Sequence, residues 1–313
     1  DYLIKANFFK GRTVRDGSRY FNTPSYHDYI NSKYSNDIRF KNTLLSKTFK
    51  FTKNIQERFS LPFLDDYYIP QGISIEGGSI YVSYYYNARH KDGDCDEENP
   101  DNYPSIIVEI DRCASKLKNV YALYKDDFHT PNTSHVGGVA VVKKGGSTYA
   151  FIPSKDGLHR YDLNSPDSTI ISSSPPPKSL MNTKGTIKKI LYSDSFNYSS
   201  LCGYSYVSYD KYRNLLWVGG FDEDSLTNIC SYKLNSAKNS LSEWSSINQL
   251  PVNKVQGAVA RPDGKLLLST SYGHKKSRIY LWDIDNASFA TTVKTLLYGN
   301  VLKGPPGFED VTI

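Results

Sequence analysis

One short phrase recurs along this chain and limits what it can fold into. It reads Pro70-Gln71-Gly72-Ile73-Ser74, then Val136-Gly137-Gly138-Val139-Ala140, then Val255-Gln256-Gly257-Ala258-Val259. Tyr204-Ser205-Tyr206-Val207-Ser208 is a looser copy, and Phe308-Glu309-Asp310-Val311-Thr312 stands near the end. Aligned at Gly72, Gly138, Tyr206 and Gly257, the first four copies each precede an apolar, β-rich run. Those runs are Ile80 to Tyr84, Tyr149 to Ile152, Leu215 to Val218 and Leu266 to Ser269. A phrase returning every ~50–70 residues is the signature of stacked β-units around an axis, a β-propeller.

Other elements fall into place around the phrase. Third strands are expected at Ile106 to Ile110, Leu158 to Tyr161 and Arg278 to Trp282, and fourth strands at Asn119 to Tyr124 and Val293 to Tyr298. Glu76-Gly77-Gly78, Lys144-Gly145-Gly146 and Pro262-Asp263-Gly264-Lys265 supply the turns between first and second strands. The reading is a single all-β domain over residues 1–313, a β-propeller of four-stranded blades, with the repeats in 70–313. Five blades are expected, with six as the alternative. Residues 1–60 hold a short helix near Tyr26 to Ile30 and a strand at Leu45 to Phe51. Strands from both termini would then close the ring, which removes exposed sheet edges.

Composition narrows the function classes. Tyr is abundant at 26 residues, which suits half-buried strand positions with the hydroxyl reaching water. Net charge is +6, but the cations are scattered in singles and pairs such as Lys188-Lys189, so no nucleic-acid partner is implied. No apolar stretch is long enough for a membrane span. Asp1-Tyr2-Leu3-Ile4-Lys5 reads as a mature end rather than a signal peptide.

The four cysteines form two local pairs, Cys95 with Cys113 and Cys202 with Cys230, and none lies in a CxxC. Disulfides within blades would place the protein in an oxidising compartment, hence secreted or extracytoplasmic; four free buried thiols are the alternative. Asn132-Thr133-Ser134, Asn197-Tyr198-Ser199 and Asn286-Ala287-Ser288 are glycosylation sequons.

The repeated phrases, with Val255 to Leu266 the fullest copy, are similar to the inner-strand phrases of secreted propellers in the NHL, YncE-like and gluconolactonase/SMP-30-like group. The resemblance covers residues 70–313 and is one of class. For the gluconolactonase-like enzymes it implies a divalent metal on the axis, held by a Glu near the first inner strand with Asn and Asp from other blades. This chain carries Gln71 at the first equivalent place and Glu309 and Asp310 at the last.

Equivalent positions of a propeller converge at its axis, so the repeat also names a candidate site. Gln71, His135, Tyr204 and Gln256 are expected as ligand-binding residues at one end of the inner strands, with Glu309 and Asp310 as metal ligands. Two carboxylates and amide oxygens suit Ca²⁺. Tyr85 and Tyr272 follow second strands at matching places and would set aromatic faces around one rim, as would Phe221. Asp92 to Glu98 fails the EF-hand pattern, with Glu97 and Tyr103 where Gly and Glu belong. No nucleophile elbow, phosphate loop or HExxH occurs. The expected function is a secreted propeller binding a small-molecule, glycan or protein ligand on a polar, Tyr-rich face. A metal-dependent hydrolase or lactonase and a pocketless interaction scaffold are the alternatives.

Overall fold

The structure is a computed structural model. It describes residues 68–86, 103–113, 116–125, 127, 129–154, 156–166, 187–196, 202–235, 241–250, 252–270, 278–283 and 302–303. Every regular element among these residues is a strand. The first antiparallel meander is β1 (Tyr68–Glu76), β2 (Ser79–Tyr86), β3 (Ile106–Asp111) and β4 (Lys116–Tyr124). The second is β5 (Ala140–Lys144), β6 (Ser147–Ser154), β7 (Gly157–Asp162) and β8 (Ile187–Phe196). The third is β9 (Tyr206–Asp210), β10 (Leu215–Gly219), β11 (Asn228–Leu234) and β12 (Leu241–Gln249). The fourth is β13 (Val255–Ala260), β14 (Lys265–Thr270), β15 (Arg278–Asp283) and β16 (Leu302–Lys303).

The first strands gather together: β1 touches β5, β5 touches β9 and β9 touches β13. The arrangement is β-propeller-like. Tight turns join the first two strands of each meander. Gly145 and Gly146 both have positive φ, 59° and 86°, as a two-residue hairpin turn with right-handed strand twist requires. The expected second and third strands are present. In the fourth meander, however, the strand paired with β15 is Leu302–Lys303, with Ile279 opposite Leu302. The expected Val293 to Tyr298 strand, the helix near Tyr26 and the strand from Leu45 lie outside the described residues.

The core lies between sheets. Tyr81, Ile107 and Tyr121 of the first meander pack on Val141, Ile152 and Ile190 of the second. Ala140, Val142 and Phe151 use the opposite face to meet Val207, Leu216 and Val218 of the third. Tyr206 and Trp217 then meet Ala258, Leu266 and Leu268 of the fourth. A strand buried on both faces loses its polar alternation, which is why Leu215 to Val218 reads as a continuous apolar run. Each fully buried Leu or Val contributes about 1.5–3 kcal/mol.

Two features depart from separate blades. The outermost strands β4 and β8 pair in parallel from Val120 opposite Ile187 to Tyr124 opposite Leu191, so the first two meanders form one eight-stranded sheet. Cys202 and Cys230 form a disulfide with Cα atoms 5.7 Å apart, as the local pairing anticipated. Cys113 is exposed and unpaired, and its expected partner Cys95 lies outside the described residues. Asn132 cannot serve as a glycosylation acceptor in the folded chain. It is 1% exposed, its Nδ2 donates to Tyr161 Oη and its Oδ1 accepts from the Ser134 amide and hydroxyl.

Candidate functional site

In the first and fourth meanders the repeated phrase is a β-bulge. Pro70 pairs with Tyr84 and Ile73 with Val82, so Gln71 and Gly72 together oppose Ser83. In the fourth meander Val255 pairs with Thr270 and Gly257 with Ser269, which makes Gln256 the extra residue. Bulges bend a strand and re-aim side chains. Here both glutamines sit at the bulge, each with a serine on the second strand. The Gly72 amide donates to Ser83 Oγ at 2.9 Å, and the Ser83 hydroxyl donates to the Val136 carbonyl at 2.9 Å. Ser269 donates to the Gly257 carbonyl at 3.4 Å.

Glycine is required where the first strands meet. A Cβ on Gly72 would lie 2.4 Å from Gly138 Cα. Gln71 is 3% exposed and turns its Nε2 to the Pro70 carbonyl at 3.0 Å. Tyr204 is half-buried against the core between the second and third meanders, and Gln256 is half-buried.

The structure does bring together two residues expected in different constellations. Tyr85, half-buried at the end of β2, and His135, exposed in the loop before β5, have ring centroids 4.1 Å apart at 37°. The loop under His135 is firmly held. Ser105 Oγ donates to the Ser134 carbonyl at 2.7 Å, and the Ser105 amide donates to the Asn132 carbonyl at 2.7 Å. Val136 next to it has φ 44°, a strained conformation for a β-branched residue. The Ser83 hydroxyl on its carbonyl stabilises that conformation. The neighbouring Tyr84 and Tyr86 are buried and only Tyr85 reaches outward. Phe221 is half-buried, with its amide donating to Ser205 Oγ.

Tyr272, Glu309 and Asp310 lie outside the described residues. Among the described residues no group of three or more His, Cys, Asp or Glu side chains could hold a metal. No helix there is long and apolar enough to cross a membrane.

A cleft opens at the other ends of the same first strands. Ile75, Val141, Val259 and Ala260 wall it, and Glu76, Lys211 and Tyr212 stand around it. Its volume is about 30 Å³, room for one or two water-sized groups rather than a sugar ring.

Two buried polar clusters were not signalled by motifs. Glu109 is 6% exposed and accepts from Ser79, Tyr81, Asn119 and Tyr121, with Lys118 Nζ 2.9 Å away. Burial pushes its pKa up, but the hydrogen bonds from Asn119, Lys118 and Ser79 and the Lys118 charge outweigh burial and hold it below the ordinary value. Burial, then the Glu109 charge, pushes the Tyr81 and Tyr121 hydroxyls up. The second cluster centres on His159, fully buried on β7 with its ring 4.5 Å from that of Tyr192. Its Nε2 lies 3.2 Å from Asp156 Oδ1, yet neither ring nitrogen makes a well-aligned hydrogen bond. Burial therefore dominates and lowers its pKa, against the pull of Asp156.

No family model matches the chain, and no curated protein matches it in sequence. Solved structures show distant likeness. A glycoside hydrolase family 43 arabinoxylan arabinofuranohydrolase from Bacillus subtilis, in complex with cellotetraose, matches with TM-score 0.38 and 12% identity over 70% of this chain and 51% of its own. The PQQ-bound aldose sugar dehydrogenase of Streptomyces coelicolor gives 0.34 and 13% over 69% of this chain and 60% of its own. The RS223 β-xylosidase gives 0.35 and 11% over 79% and 77%. The chain thus spans about half of the first protein's length and three fifths of the second's. Likenesses at these TM-scores carry no argument about activity.

Proposed function

We propose that this chain is a secreted, five-bladed propeller that binds carbohydrate on the face carrying Tyr85 and His135. The observation that carries the reading is the Tyr85–His135 pair at 4.1 Å, placed on a loop pinned by Ser83 and Ser105. A preorganised aromatic surface beside hydrogen-bonding groups suits the apolar face and hydroxyls of a sugar, and rigidity lowers the entropic cost of binding. Tyr204, Gln256 and Tyr272 complete the binding face in this reading, and Gln71, buried on the Pro70 carbonyl, drops out of it.

In this reading strands from both termini would close the ring as a fifth blade. Burial supports such closure. Ile80, Val82, Val108 and Ile110 alternate with the residues facing the second meander, yet are at most 1% exposed themselves. Burial on both faces fits a ring that closes behind the first meander. The Cys202–Cys230 disulfide supports an oxidising compartment.

A glycan array probed with the whole chain tests the function. Binding that is lost in Tyr85→Ala and weakened in His135→Ala is the expected result. A blank array with a correctly folded protein would overturn it.

A further inference from the structure

The cleft at the far ends of the first strands contains an unmet hydrogen-bonding group. Ser208 is 8% exposed, lines the cleft, and its Oγ is buried without a hydrogen-bond partner. Buried hydroxyls in folded proteins are satisfied by protein, water or ligand. Ser74, also lining the cleft, differs: its Oγ accepts from the Val141 amide at 3.1 Å. The sequence aligns Ser208 with Ser74 in the repeated phrase, so one copy is satisfied by a neighbouring strand and the other, also on a lining residue, is buried without a partner.

The lining defines what could fill it. Glu76 is half-buried beside the cleft and its charge contributes to raising the Tyr209 hydroxyl pKa, after burial. The like charge disfavours a carboxylate or phosphate. Lys211 stands on the same rim with Nζ 5.2 Å from the Tyr212 ring, and disfavours an ammonium. A bare Ca²⁺ needs six to eight oxygens. The side-chain oxygens lining the cleft come from Ser74, Glu76, Ser208, Tyr209 and Tyr212, and Tyr209 already donates to Asn214. A neutral hydroxyl suits both charges, because it donates to Glu76 and accepts from Lys211. The volume of about 30 Å³ admits only a hydroxyl or hydroxymethyl arm. Tyr212, 48% exposed, offers a ring face for whatever stays outside.

We infer that this cleft is a second binding site, which takes one hydroxyl-bearing arm of a small neutral sugar or polyol, with Ser208 as its inner anchor and Tyr212 as its outer platform. It is a separate site from the Tyr85–His135 face and does not depend on that reading. The test is a titration of the ¹⁵N-labelled whole chain with D-glucose, D-galactose and D-mannose, read at the backbone amides of residues 73–76 and 207–212. Saturable shifts there with at least one sugar are expected, and they persist in Tyr85→Ala. Tyr212→Ala, an exposed substitution that leaves the fold intact, weakens the response about tenfold. Ser208→Val fills the inner end and abolishes it. No saturable shift with any of the three sugars, or an unchanged response in Tyr212→Ala, overturns the site and leaves Ser208 to a trapped water.

Discussion

Gly219 lies directly under the ring of Tyr206: a Cβ at position 219 would sit 2.1 Å from Tyr206 Oη. The two residues pair across β9 and β10. In the first and fourth meanders the glycine is on the first strand, at Gly72 and Gly257, and a serine is opposite. The third meander reverses the arrangement, which explains why its copy of the phrase is the loosest. Gly219→Ala is expected to destabilise by about 1–3 kcal/mol through overpacking. Gly72→Ala costs more, because the atom it meets is Gly138 backbone rather than a side chain. Urea unfolding of both variants checks the order.

Glu109 makes acid stability depend on one network. Its folded pKa is held below the ordinary 4.5, so its contribution is complete above that value and is lost as pH falls through the folded pKa. Glu109→Ala leaves Ser79, Tyr81, Asn119 and Tyr121 donors without their acceptor and is expected to cost about 3 kcal/mol. Glu109→Gln is expected to flatten the acid limb of the stability curve, measured by denaturant unfolding between neutral and acidic pH.

His159 gives a second pH dependence in a higher window. Its folded pKa is lowered below 6.5 by burial first, with the nearby Lys125 charge adding to it. The unfolded chain therefore takes up the proton first. Stability is complete above 6.5 and declines as pH falls from there towards the folded pKa. His159→Phe keeps the ring against Tyr192 and is expected to remove the dependence between pH 7 and 5. A slope unchanged in the variant would assign it to other groups.

Cys202 and Cys230 close a 28-residue separation within one meander. Chain-entropy arguments give a disulfide over such a loop about 3.5 kcal/mol. Reduction, or Cys202→Ser with Cys230→Ser, is expected to lower Tm, and non-reducing peptide mapping should recover the pair.

Asn132 is expected to stay unmodified even when the chain is made in a glycosylating secretory host. Its side chain is already used by Tyr161 and Ser134. Mass spectrometry of the peptide containing Asn132 provides the check.

Much of the architecture was legible because it depends on local pattern. Glycine turns, apolar runs and the recurring phrase mark first and second strands without reference to distant residues. The site was less legible because bulges decide which way its residues point. Gln71 looked like an axial ligand, and the extra residue at the bulge leaves it buried on the Pro70 carbonyl. Tyr85 and His135 were each singled out, yet their ring contact spans two meanders. The serines at Ser83 and Ser269, opposite the phrase glycines, were a readable signal of the bulge. Glu109 had none, since its surroundings come from separate strands.

The parallel seam between β4 and β8 has a mechanical result. Splaying the first two meanders apart at the rim means breaking a row of backbone hydrogen bonds, whereas at the seams beyond them, among the described residues, no strand pairs with a strand of the neighbouring sheet. The described sheets are thus joined unevenly. The first two meanders move as one leaf, and any opening between the described sheets is directed to the joints beyond it.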